Sequence, residues 1–90
     1  MSTNLLGGNP AEMQQMATQF TQQADQVRTT MAALDREAAK VGTAWTGQGA
    51  ERFRSSWDQY RVAFQRMAEE LQEAARVINT YRSNIESATS

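Results

Sequence analysis

Ninety residues, 40% of them apolar and 21% charged, carry a formal net charge of −1 and contain neither cysteine nor histidine. That length fits one folding unit, and the composition excludes both a disordered polyelectrolyte and a bilayer-embedded chain. With no thiolate or imidazole, a disulfide framework, the usual zinc sites and the commonest general base near neutral pH are all missing, so a noncatalytic protein with no metal or cofactor is expected. The nine basic residues are dispersed among ten acidic ones, which leaves no concentrated positive field for nucleic acid.

Met1 to Asn9 contains no basic n-region and no apolar run long enough for a Sec signal or a transmembrane helix. Residues 1–8 also offer few groups that could order them, and a flexible terminus is expected there. Asn9 is a capping residue, Pro10 suits the first helical position, and Glu12 stands where a capping-box carboxylate belongs. These signals predict a first helix over about 10–41. Along it, Met13, Phe20, Val27, Leu34 and Val41 recur at heptad spacing beside Ala17, Ala24, Met31 and Ala38, as the two rows of an a/d seam do. Gly42 is placed to end this helix in the left-handed conformation, with Lys40 favouring the negative end of its dipole.

The repeat then breaks at Trp45-Thr46-Gly47, which predicts a bend over 42–48 with Thr46 as a candidate N-cap. It resumes as Ala50, Trp57, Phe64, Leu71, Ile78 and Ile85 beside Phe53, Tyr60, Met67, Ala74, Tyr81 and Ala88. A second helix over about 48–86 follows, with flexible residues 87–90. A short corner between long helices forces them antiparallel, so the expected fold is all-α: a single helix-turn-helix hairpin domain over 1–90.

One hairpin cannot bury both faces of such a seam, and an exposed apolar strip would remain. Dimerisation into a four-helix bundle would cover it. The candidate interface residues are Phe53, Trp57, Tyr60, Phe64, Met67 and Leu71, with bulky anchors drawn from the second helix and small alanines from the first. The alternative is that these rings are core within the hairpin, because periodicity does not assign sides. A homodimer is favoured, since one seam holds both large and small rows; a heterodimer with a paralogue is the alternative.

A chain of this length, folded as two antiparallel helices with Trp45 and Gly47 in the bend and Thr46 between them, resembles the WXG-100 family. These are ESAT-6-like small secreted proteins of type VII secretion in Gram-positive bacteria, and the resemblance covers essentially the whole chain. It implies synthesis in the cytoplasm and export as a folded dimer, without a cleaved signal peptide, through a type VII secretion ATPase. Family members that engage the ATPase often carry a C-terminal Tyr with an acidic residue one helical turn later. Here Tyr81 is followed by Ile85 at that place, and the acid, Glu86, comes one residue late, rotated by about 100° on a helix. Tyr81 with Glu86 is the candidate export signal; otherwise a paralogous partner supplies the complete one. The resemblance also implies that Trp45 and the partner's Tyr region form a composite recognition surface, whereas the plainer role for Trp45 is to plug the bundle end.

The remaining polar pattern reads as helix surface. Asp25 and Arg28, Glu51 and Arg54, Asp58 and Arg61, and Glu73 and Arg76 are acid-first pairs at helical spacing, each worth a few tenths of a kcal/mol. Glu69, Glu70 and Glu73 cluster without any neighbouring His or Cys, which does not make a metal or catalytic site. Lysine occurs only at Lys40 and the arginines are scattered, so contact with a membrane surface is not supported. Two readings of other classes remain: an intracellular coiled-coil adaptor, and an enzyme acting through carboxylates such as Glu70.

Overall fold

The computed structural model describes residues 7–89 and consists of two antiparallel helices, α1 (Pro10–Ala38) and α2 (Gln48–Thr89). The molecule is a rod of 64 × 16 × 15 Å. Its radius of gyration is 19.9 Å, against about 12 Å for a compact chain of this length. Such a shape has no room for a deep interior.

At the start of α1, Asn9 adopts an extended backbone, and its side chain accepts a hydrogen bond from the Glu12 N–H at 3.2 Å, with Pro10 opening the helix. The helix ends at Ala38 instead of continuing to Val41. Its last amides turn tightly: the Lys40 N–H donates to the Glu37 carbonyl and the Val41 N–H to the Ala38 carbonyl. Gly42 is therefore not the helix cap. It shapes the connection, with φ +106 and its N–H donating to the Trp45 carbonyl at 2.6 Å. The Lys40 carbonyl accepts from the Thr43 and Ala44 amides and from the Thr43 hydroxyl, which closes the loop on itself.

The first hydrogen bond of α2 runs from the Glu51 N–H to the Gly47 carbonyl at 3.2 Å. Gly47, not Thr46, thus holds the cap position. Its φ of +104 lets the chain swing sharply into the helix, a conformation that costs a side chain but not glycine. α2 then runs unbroken through Thr89, past the expected end near 86. The expectation of flexible residues over 1–8 and 87–90 falls partly on residues 1–6 and 90, which lie outside the described ones.

The seam is narrower than the heptads predict, and it is shifted. Its fully enclosed residues are small: Ala17 and Ala24 on α1, and Ala50, Ala68 and Ala75 on α2. Trp57 is the one large side chain buried with them among the described residues, at 9% exposed. Ala68 and Ala75 belong to neither predicted row. They lie on the flank of α2 beyond the Ala50–Ile85 row, so α2 has rolled that flank toward α1 and turned the Phe53–Tyr81 row outward. The physical reason is close approach: alanines facing alanines let two helices pack tightly along a long contact, and bulky rings cannot enter that line.

Candidate functional site

Rolling α2 gives the hairpin two unlike long sides. One side is tied by polar contacts that cross between the helices. The Trp57 indole N–H donates to Asp35 Oδ1 at 2.9 Å, and Arg61 Nε pairs with the same oxygen at 3.2 Å. Arg28 donates to Gln72 Oε1 at 2.7 Å. Arg54 donates to the Val41 carbonyl at 2.5 Å, with its guanidinium over Gly42, where a Cβ would collide with it. That contact takes Arg54 to the loop carbonyl, whereas the sequence pairs it with Glu51. The helical pairs Asp25–Arg28, Asp58–Arg61 and Glu73–Arg76 do form, at 3.9, 3.8 and 2.5 Å. Arg76 donating to Glu73, and Lys40 donating to Glu37, hold both carboxyls below their ordinary value.

The opposite side is apolar and open. Phe53, Tyr60, Met67 and Tyr81 of α2 are exposed along one row, with Val77 beside them and Met16 and Leu34 contributed by α1. Between the helices, Leu34, Trp57, Tyr60, Ala63, Phe64 and Met67 line a shallow depression of about 470 Å³. Nearer the open end of the hairpin, Met13, Val77, Ile78, Tyr81 and Ile85 line a second, of about 500 Å³. Single exposed apolar residues are ordinary on a protein surface, but a continuous row flanked by half-buried rings is the mark of an interaction surface.

The candidate interface residues therefore separate. Phe53, Tyr60 and Met67 present themselves on the open side, while Phe64 and Leu71 are half-buried between it and the seam. Trp57 faces inward, anchored by Asp35. Leu34, Met16, Val77 and Tyr81 share the open side without having been singled out as interface residues. The signal that could have found them was the direction of roll, and the alanines at 68 and 75 carry it.

The bend is built around Trp45. Its ring is 47% exposed and rests on the first turns of α2, with ring centroids 5.7 Å from Phe53. A Cβ at Gly49 would stand 3.2 Å from its Cζ2, so the glycine lets the indole lie close to the helix backbone. Phe53 in turn stacks on Trp57 at 6.5 Å, and Trp57 meets Phe64 at 6.4 Å. The tryptophan of the bend is thus the outermost member of an aromatic chain that runs into the seam. Thr46 and Gly47 are exposed at the same end.

At the far end of α2, Tyr81 is 61% exposed. Glu86 is ion-paired with Arg82. Because the helix is continuous through both residues, Tyr81 and Glu86 point about 140° apart. Trp45 and Tyr81 sit at opposite ends of the rod, too distant to form one site within a single chain. Among the described residues, no group of three or more acidic side chains is arranged to hold a metal ion, and no helix is long and apolar enough to cross a membrane.

Among known protein families, the model described as "Proteins of 100 residues with WXG" matches residues 7–89. No curated protein and no solved structure matches the chain.

Proposed function

Because the chain belongs to the WXG100 family of ESAT-6-like secreted proteins, we propose that it is a noncatalytic substrate or effector component of type VII secretion, exported as a folded dimer of hairpins. The observation that carries this reading is the contrast between the two sides of the rod. Polar ties hold one side within the chain, while Phe53, Tyr60, Met67 and Tyr81 stand exposed on the other. A second hairpin covering that side completes a four-helix bundle.

In an antiparallel bundle, the Trp45 bend of one hairpin lies at the same end as Tyr81 of the other. The composite surface made of those two rings is the proposed docking site for the secretion ATPase. A half-exposed Trp45 supports this role better than that of a plug. The pairing of Glu86 with Arg82 favours a second reading, in which a paralogous partner supplies the acid of the export signal.

The test is export itself. The protein is expected to accumulate in the medium of cells with an intact secretion ATPase and to disappear from it when the ATPase gene is deleted. Tyr81→Ala is expected to reduce export at least tenfold while the protein stays folded in the cytoplasm. Unchanged secretion without the ATPase would contradict the reading, and so would a protein that never leaves the cell, as an intracellular adaptor would not.

A further inference from the structure

We propose that residues 1–6, which lie outside the described ones, form a strap that folds back on the open end of the hairpin, where Leu5 and Leu6 fill the apolar depression beside Tyr81 and shield its ring. The depression, of about 500 Å³, is walled by Met13 of α1 and by Val77, Ile78, Tyr81 and Ile85 of α2, and Gly7 lines it too. No charged side chain borders it, so its chemistry calls for a neutral, apolar occupant.

Two glycines bring the chain to this place, each for a different reason. A Cβ at Gly8 would stand 2.7 Å from Met13 Sδ and 3.1 Å from Ile85 Cδ1, so the segment leading into α1 already rests against α2 before the first helix begins. Around Gly7 an added Cβ would meet open space, yet its φ is +94, a conformation that costs a side chain but not glycine. Gly8 is there for close approach and Gly7 for the turn. Because Gly7 itself lines the depression, the two residues before it are only one and two Cα steps away, at about 3.8 Å each.

Those two residues are Leu5 and Leu6. They form an apolar pair between the polar run Ser2-Thr3-Asn4 and the two glycines, and residues 1–6 carry no charged side chain. Seating them removes apolar surface of both strap and depression from water. The loop to be closed is short, and the tether holds the leucines at a high effective concentration beside their site. The consequence for docking rests on the role proposed above for Tyr81: a group that approaches its ring must first displace the leucines. The seat of the strap does not depend on that role.

Cross-linking of the full chain, which has no cysteine of its own, tests the seat. Leu6→Cys combined with Asn84→Cys, on the lining of the depression, is expected to form a disulfide within one chain on mild oxidation. Leu6→Cys combined with Ser83→Cys, about 100° further round α2 and away from the depression, is expected not to. The shield is read separately by nitration of the purified protein with tetranitromethane. Leu5→Ser/Leu6→Ser is expected to speed nitration of Tyr81 about threefold, as removal of a strap seated two-thirds of the time would, and to leave Tyr60 unchanged. Failure of the Asn84 pair to close within the chain, or a link that forms only between chains because a second hairpin fills the depression, overturns the strap. Equal nitration of Tyr81 in both proteins overturns the shield. Neither readout involves export, so a strap that holds in a protein that is never secreted would contradict the secretion reading alone.

Discussion

Trp57→Ala is expected to abolish cooperative folding of the hairpin. Trp57 is the one large side chain enclosed in the seam among the described residues, at 9% exposed, and the other enclosed residues are alanines. Truncating a buried tryptophan costs about 3–5 kcal/mol, and a small domain has a total stability of about the same size. The substitution also removes the donor that holds Asp35 Oδ1 and the ring contacts with Phe53 and Phe64. Thermal unfolding followed by far-ultraviolet circular dichroism should show a broad, non-cooperative loss of helix. Trp57→Phe keeps a ring in place and loses the indole donor. It is expected to cost about 1 kcal/mol beyond its smaller area and to retain a cooperative transition.

Met67→Asp is expected to leave the hairpin helical and to destroy the dimer. The side chain is 48% exposed, so a carboxylate there meets water in the isolated chain at little cost. At the centre of a closed bundle the same carboxylate would be desolvated. Hot-spot substitutions cost at least about 2 kcal/mol, so the dimer Kd should rise about thirtyfold or more. Val62→Asp serves as the control. Val62 is similarly exposed, at 55%, but lies on the outer side of α2, and its substitution should leave the Kd unchanged.

The hairpin was legible in the sequence because its signals are local. Asn9, Pro10 and Glu12 marked the start of α1, and the break in the heptads located the bend. Neither the roll of α2 nor the identity of the seam was legible to the same degree. Ala68 and Ala75 share a helix row with Arg54, Arg61 and Arg82, which reads as polar. The alanines are buried because they are small, and the arginines at the same flank reach past the seam to Asp35 and the Val41 carbonyl. Trp57 falls in a heptad row that could equally serve an interface, and only its bond to Asp35 assigns it to the interior. The early end of α1 was hidden by Gly42, whose left-handed conformation serves the loop instead of the helix terminus.

These features give the tryptophan of the bend a physical setting. Gly49 and Phe53 seat Trp45, and the aromatic chain to Trp57 and Phe64 ties the bend to the seam. The exposed face of Trp45 is therefore held by the same contacts that hold the hairpin together. Tyr81, the more exposed of the two at 61%, stands toward the opposite end of the rod, and the proposed antiparallel second hairpin would bring the two rings to one end.

The occupancy of the open side can be weighed. Sedimentation equilibrium of the wild-type protein at low micromolar concentration is expected to give twice the 10.1 kDa chain mass. A stable, fully helical species with the mass of one chain would contradict the account.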